Sequence, residues 1–594
     1  MGFDITGYPN LGEALAARVA LQPEQTAVTF HRGSTAAAHE SLTYRELGRR
    51  VGLRAAALAA RMEVGDRLLI ALPTCPEFVE LYLACLTVGV VAVPSPPVTA
   101  SSSAAKRVAA MAKDCRPALV ITTEGDVDTV AERLRHEELD GVPVEATVPV
   151  GEGEADPTFL HGRTVDGDTL AVLQYSSGST GAPKGVMLAH RNIQANLAGL
   201  NTIVGLGHDD AFAAWLPLHH DFGLFVQLTF ALFYGAPTVL MAPSDFARRP
   251  LEWLRMMDEF RTTATSAPNF AYELATRLIT DEQMAGLDLS RLRFVCNGSE
   301  PIHAPTMAAF AKRFAAVGLR PEALTSGYGM AEVTVYVSNT PLPEPQTVIV
   351  ADANRLHDAD RPALVATAGG EGREVVGVGT PRILESRIVD PLTRQVLPEG
   401  SIGEVWLSGP SVADGYWEKP ELNDEVFRAR PAGDDGTGPV WLRTGDLGGF
   451  VDGELFITGR LKEVLIVNGR NLYPQDLEHE ARSTHQALTG FVGAAFSVEA
   501  PDERVVLVHE VGPRVPAEDL PGIATAVSRR LAASFGVPVR NVLLVRRGQV
   551  RRTTSGKIER GTMRRSFLAG GIETLHAELE PEVRRLVGTA VGAP

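Results

Sequence analysis

From residue 67 the chain alternates short apolar runs with longer amphipathic ones. RLLIALP reads as a buried strand, PEFVELYLACLTVG as a helix and VVAVP as a second strand. Proline opens this helix at Pro76 and glycine follows its end at Gly89, the punctuation expected of a helix between two strands. The alternation returns at 170–177 (LAVLQYSS) and 225–241 (FVQLTFALFYGAPTVLM). Continuous apolar strands separated by helices predict an α/β fold with largely parallel, buried sheets. From about residue 375 short runs bounded by turn residues (SRIVDP, GEVWLSGP, GELFITGR) predict a β-rich subdomain. Beyond Arg460, LKEVLIVNGRNLYPQDLEHEAR, VVLVHEV and VPVRNVLLV predict a smaller α+β unit. The chain is thus expected to divide into a large domain over 1–460 and a small mobile one over 461–594. The stretch 341–373, rich in Pro, Ala, Gly and charge, reads as an inserted surface element.

At 594 residues the chain exceeds what one hydrophobic core supports, which agrees with that division. With 45% hydrophobic and 22% charged residues it is expected to fold throughout. A net charge of -16 supplies no field for a nucleic-acid backbone, so nucleic acid is not an expected partner. Cys75, Cys85, Cys115 and Cys296 have no CxxC spacing and read as buried thiols in a reducing compartment, without zinc or disulfides. The start MGFDITGYPN lacks a basic then apolar leader, 81–93 is too short to span a bilayer, and 222–242 is interrupted by Gln227, Gly235 and Pro237. A cytoplasmic protein without membrane insertion is expected.

Chemistry enters at YSSGSTGAPKG, 175–185. Gly178 and Gly181 let backbone N–H groups approach an anion, Ser176, Ser177, Ser179 and Thr180 add hydroxyls, and Lys184 adds charge, which together suit a polyphosphate. It is not a GxxxxGK[ST] loop, because Gly181 stands three positions before Lys184 and Pro183 forbids a helix opening on the lysine. Taken alone it is equally a Ser/Gly surface turn. WLPLHHDFGL (215–224) fits neither a complete metal site nor an HHxxxDG acyltransferase motif; it suits the rim of an apolar-substrate pocket or a structural turn. CNGSEPI (296–302) and SGYGMAEVT (326–334) each add a close-approach glycine and a carboxylate, Glu300 or Glu332, suited to Mg²⁺. Tyr328 offers a face to a purine. RTGDLG (443–448) places Asp446 to accept from vicinal hydroxyls, FITGRLKEV adds Arg460, and RTTSGKIERG (552–561) adds Lys557 on a turn.

In this order, over nearly the whole chain, these strings resemble the core motifs of the adenylate-forming superfamily of acyl-CoA synthetases, peptide synthetase adenylation domains and luciferases. LPLHHDFGL, NGSEPI, YGMAEVTVY and GRNLYPQDLE resemble those of the fatty acyl-AMP ligases, which pass the acyl group to an acyl carrier protein. The resemblance implies an ATP- and Mg²⁺-dependent ligase that converts a fatty or other carboxylic acid to acyl-AMP and then acylates a separate holo carrier protein. It implies catalytic roles for Lys557, Glu332, His220 and Thr180, with Glu332 and Thr180 at the metal. The nucleotide would be held by Ser176, Ser177, Gly178, Ser179, Thr180, Gly181, Lys184, Ser299, Glu300, Pro301, Gly327, Tyr328, Gly329, Met330, Asp446 and Arg460. Lys462 would be the hinge, and His220, Phe222, Gly223 and Phe225 would border the acyl pocket. Phe222 stands where the family often has methionine and Ser299 where it often has alanine. Family members of this kind carry an insertion that blocks productive use of coenzyme A, and 341–373 matches its place.

Two other readings compete: a coenzyme A ligase of the same fold, and a nucleotide-binding relative without turnover. The second conflicts with the presence of Lys184, Glu332, Asp446 and Lys557 together. The arginines within 546–560 (RRGQVRRTTSGKIER) are either a docking surface for an acidic carrier or a solvated charge run. Phe222, Phe225, Phe230 and Phe233 either line an acyl tunnel or fill a buried helix.

Overall fold

The computed structural model describes residues 3–32, 39–98, 102–151, 153, 165–175, 183–367, 372–468, 470–553 and 556–588. The predicted strand, helix and strand from residue 67 are Arg67–Ala71, Pro76–Val88 and Val91–Pro94, and Gly89 ends the helix at φ 72°. These strands belong to a six-stranded sheet ordered Val144–Ala146, Leu119–Thr122, Arg67–Ala71, Val91–Pro94, Leu170–Tyr175, Gly185–Ala189. Its neighbours run parallel except the last pair, which is antiparallel. A second sheet of eight strands is parallel through its centre (Leu324–Tyr328, Phe294–Asn297, Ala264–Ala267, Phe212–Ala214, Thr238–Met241, Thr26–His31) and antiparallel at both edges. Helices cover both sheets; one apolar core takes Leu68, Ile70 and Ala92, and a second, on the other face of the six-stranded sheet, takes Leu69, Ala71, Val91 and Val93, which explains why these strands read as unbroken hydrophobic runs.

The β-rich texture after residue 375 is a four-stranded antiparallel sheet, Glu385–Val389, Gly403–Ser408, Leu442–Val451 and Glu454–Arg460. Segment 341–373 is more than surface. Its strand Val348–Ala351 pairs with Arg373–Val376, and Leu356 and Leu364 are buried with Leu447, Phe456 and Tyr473 in a small core.

Past Leu465, Tyr473 apart, the buried apolar residues gather in cores of their own. In the sheet Gly493–Glu499, Glu503–Glu510, Asn541–Val545, Thr574–Glu578, alternate residues face opposite ways, as the two-residue period of a strand requires. Ala495, Val505, Leu507, Val542 and Leu544 meet Leu477, Val527 and Leu531 of helices Pro474–Thr484 and Leu520–Phe535. Their neighbours Phe496, Val506, Val508, Leu543 and Val545 meet Met563 and Phe567 of helix Arg560–Leu568. Lys462 is exposed on the single 3-10 turn Leu461–Glu463 that leads into this unit.

All four cysteines are free; Cys75 is half-buried where the spacing argument expected burial, and the other three are buried. Among the described residues no helix is long and apolar enough to cross a membrane.

Candidate active site

The carboxyl ends of the parallel strands open on a cavity of about 860 Å³, roofed by the C-terminal unit. This is where open α/β sheets present their loops to ligands. The segment after Phe294–Asn297 supplies Ser299, Glu300 and Pro301, and the end of Leu324–Tyr328 supplies Gly327, Tyr328, Gly329 and Met330. Gly329 has no alternative: an added Cβ would lie 1.7 Å from the Val335 carbonyl oxygen. Ser299 holds φ at 73°, a conformation that costs a residue bearing a Cβ about 1–3 kcal/mol. Serine and alanine share that penalty, so the departure at this position leaves the strained backbone as it is.

Asp446 is buried at the opposite wall, directly across from Arg460 on the neighbouring antiparallel strand. Its carboxylate accepts from the Tyr328 hydroxyl at 2.8 Å and faces Arg460 Nε at 2.8 Å. That carboxylate raises the Arg460 pKa above its ordinary value, while the guanidinium stays half-exposed to the cavity. Lys557 reaches the same cavity from the C-terminal unit on a turn where its N–H donates to Thr553 Oγ1 at 3.1 Å. Burial first, then Arg460, pull its ammonium below the ordinary lysine value, and Asp221, Asp446 and Glu300 pull the other way. Glu300 Oε1 accepts from the Phe270 N–H at 2.6 Å, and burial pushes this carboxyl up to about 7.

At the third wall His220 Nδ1 and Asp221 Oδ1 stand 2.6 Å apart. Asp221 also accepts from the Phe222 N–H at 2.8 Å, capping a π-helix over Phe222–Phe230, a form rare enough that its cause matters. The wider turn accommodates Gly223, where a Cβ would sit 2.3 Å from the Pro217 carbonyl oxygen. Inside it, Thr229 Oγ1 donates to the Leu224 carbonyl at 2.7 Å and Thr238 Oγ1 to that of Gln227 at 2.8 Å. His220 and Phe222 line the cavity. Gly223 and Phe225 are not among its described walls: Phe225, Phe230 and Phe233 are buried in the core, so the alternative of a buried helix holds for them. Their apolar spacing could not separate the two environments.

Glu332 Oε1 accepts from the Tyr416 hydroxyl at 2.8 Å, and Lys184 Nζ lies 5.0 Å from the centre of that tyrosine ring. Burial and the charge of Lys462 lower the Lys184 pKa, against Glu332, which raises it. The structure thus gathers Lys184, Glu332 and Lys462 on one side of the site. Ser176, Ser177, Gly178, Ser179, Thr180 and Gly181 lie outside the described residues. Glu332, a carboxylate steadied by one hydroxyl donor beside the cavity, fits a hard cation that prefers oxygen ligands.

Several contributors carried no motif. Gln174 Nε2 donates to the His219 carbonyl at 2.9 Å and ties strand Leu170–Tyr175 to the histidine loop. Arg107 enters the cavity wall, and burial lowers its pKa. The C-terminal unit is held over the site by Arg482–Glu273 and Arg373–Asp476, both at 3.0 Å. Burial opposite Arg373 pushes Asp476 up to about 6. The 341–373 segment bonds to the GRNLYP strand: the Asn471 N–H donates to the His357 carbonyl at 2.9 Å, and Arg470 Nη2 to Asn354 Oδ1 at 3.1 Å.

A model of the family described as AMP-binding enzyme matches residues 15–417. The chain is 35% identical over 551 residues to the medium-chain-fatty-acid–[acyl-carrier-protein] ligase JamA of Moorena producens, covering 91% of this chain and 92% of that one. It is 36% identical over 577 residues to the long-chain-fatty-acid–AMP ligase FadD26 of Mycobacterium marinum, covering 93% and 96%. Among solved structures, the fatty acyl-adenylate ligase of L. pneumophila in complex with acyl adenylate and pyrophosphate superposes with a TM-score of 0.71 at 27% identity. That match covers 96% of this chain and 97% of the other.

Proposed function

The chain belongs to the AMP-binding enzyme family, and on that premise we propose that it converts a fatty acid to its acyl adenylate and passes the acyl group to a carrier-protein thiol. It is an ATP-dependent acid ligase, in keeping with relatives named for fatty acid ligation. The observation that carries the adenylation step is the convergence of Lys557, the Asp446–Arg460–Tyr328 group and the His220–Asp221 pair on one cavity.

In the first half-reaction a carboxylate oxygen attacks the α-phosphorus of ATP. An O–P bond forms, the bond to the bridging oxygen breaks, and pyrophosphate leaves. Two anions must meet, so the protein's task is positioning and charge neutralisation, with no nucleophilic side chain required. Lys557 places its cation where charge develops. Asp446 accepts from ribose hydroxyls beside Arg460, Tyr328 with Ser299, Glu300 and Pro301 borders the adenine, and Lys184 with the loop 176–181 holds the phosphates. Glu332 and Thr180 would hold Mg²⁺, whose charge screens the polyphosphate. His220, held by Asp221, and Phe222 border the acid. In the second half-reaction the thiol sulfur attacks the acyl carbon: a C–S bond forms, the bond from that carbon to the phosphate oxygen breaks, AMP leaves and the thiol proton passes to solvent.

The two halves need different groups at one centre. Residues 1–460 and 461–594 act as two domains hinged at Lys462, supported by the separate cores and the exposed turn. The carrier as acceptor is supported by the bonds from 341–373 to Arg470 and Asn471, which brace the segment just past the hinge. Arg546, Arg547, Arg551 and Arg552 are exposed close to Lys557 and suit an acidic carrier.

With acyl-AMP preformed, offering coenzyme A and holo carrier protein at equal concentration is expected to give thioester on the carrier at least tenfold faster, about 1.4 kcal/mol in barrier. Equal or faster acyl-CoA formation would instead make the chain a coenzyme A ligase.

A further inference from the structure

The cavity lining includes apolar side chains, among them Leu200, Phe222, Val226 and Phe294, and polar ones such as Gln174 and Asn339. Two of its hydroxyls belong to Tyr336 and Ser338. Tyr336 is 6% and Ser338 0% exposed, both line the cavity, and neither the phenol oxygen nor the serine Oγ has a hydrogen-bond partner among the described residues. The buried phenols of Tyr44, Tyr82, Tyr272 and Tyr416 all reach an oxygen. An unpaired buried hydroxyl is costly, so two of them on residues that line a substrate cavity call for an explanation. Loose placement does not explain it. Asn196 clamps the backbone of Tyr336, donating to its carbonyl at 2.8 Å and accepting from its N–H at 3.1 Å. Ser338 sits in register with Tyr328 on the edge strand Ser338–Asn339.

We propose that Tyr336 and Ser338 form a subsite for a neutral oxygen substituent, a hydroxyl or a carbonyl, on the aliphatic chain of the substrate acid. The inference rests on reading this cavity as the acyl site. Both groups donate and accept, and both rotate about their C–O bonds, so either substituent satisfies them. A plain methylene chain satisfies neither and leaves two buried hydroxyls without partners. Sites built around such donors discriminate against analogues lacking the matching group far more strongly than apolar pockets discriminate between chain lengths.

The test is acid-dependent ATP–pyrophosphate exchange by the full-length chain, with saturated straight-chain acids and hydroxy and oxo derivatives of matched length, substituted at successive carbons. The best oxygenated acid is expected to exceed its saturated parent in kcat/KM by about tenfold or more. Tyr336→Phe, and separately Ser338→Ala, should bring that ratio toward one; the two variants guard against one that misfolds. Saturated acids that match or surpass every oxygenated partner, with a ratio indifferent to both substitutions, would overturn the subsite and leave adenylation standing. Exchange with no acid of either kind would overturn both.

Discussion

Replacing Lys557 with alanine is expected to slow acyl-adenylate formation by about 10²–10³, or about 2.7–4 kcal/mol, the loss found on removing one preorganised electrostatic donor. The lysine is part-buried; Asp221, Asp446 and Glu300 favour its charge, while burial and Arg460 oppose it. Its backbone is held independently, the N–H by Thr553 Oγ1 at 3.1 Å and the carbonyl by the Thr553 N–H at 2.8 Å. The turn should therefore survive, with an unchanged melting temperature. The same lysine sets an alkaline limit. Burial lowers its pKa from 10.5, so kcat/KM, which reports the free enzyme, should decline as pH rises toward a point below that value. Lys557→Arg should carry the decline to higher pH. Near wild-type pyrophosphate exchange in Lys557→Ala would remove the lysine from the chemistry.

Replacing Arg560 with alanine is expected to destabilise the C-terminal unit by about 3–5 kcal/mol, the cost of leaving a buried charge without its partner. Arg560 meets Glu478 through two parallel bonds at 2.7 Å and reaches Glu463 at 2.6 Å. Glu478 is 4% exposed and also accepts from the Ala495 N–H, so it cannot escape to water when the guanidinium is lost. One side chain thus fastens the turn Leu461–Glu463, helix Pro474–Thr484 and helix Arg560–Leu568, which begins three residues after Lys557. Urea unfolding followed by hydrogen exchange in strand Glu503–Glu510 reads the loss. Arg560→Lys should recover only part of it, because an ammonium cannot fork onto a carboxylate. A change below about 1 kcal/mol would mean the pair is offset by solvent, as exposed pairs are.

Much of the site is legible in the sequence because its groups sit at the ends of strands, where glycine, strained serine and short turns leave local signatures. NGSEP and YGMAE each mark a place where a strand stops at the cavity, and RTGD lies near the start of the strand Leu442–Val451. What local pattern does not encode is partnership across the fold. Tyr416, which lies in no motif, meets Glu332 over a separation of 84 residues, and Arg560 of RTTSGKIERG meets Glu478 of GRNLYPQDLE over 82, a pairing that neither string encodes. The run FGLFVQLTF, 222–230, has the composition of any buried helix. Its π geometry goes together with a close approach of Gly223 to Pro217 and a hydrogen bond from Thr238 on a neighbouring strand. The aromatic residues of that run were ambiguous for the same reason: spacing says they are buried, and only packing says that Phe222 meets the cavity while Phe225 meets the core.

Adenylate formation is tested most directly by a single turnover with ATP labelled at the α-phosphate, a carboxylic acid and Mg²⁺, with every thiol acceptor left out. Label is expected in an acid-dependent, hydroxylamine-sensitive acyl-AMP formed in step with pyrophosphate, and absent without the acid. Label that stays in ATP across a broad panel of acids, or appears in ADP at a rate indifferent to the acid, would contradict the account.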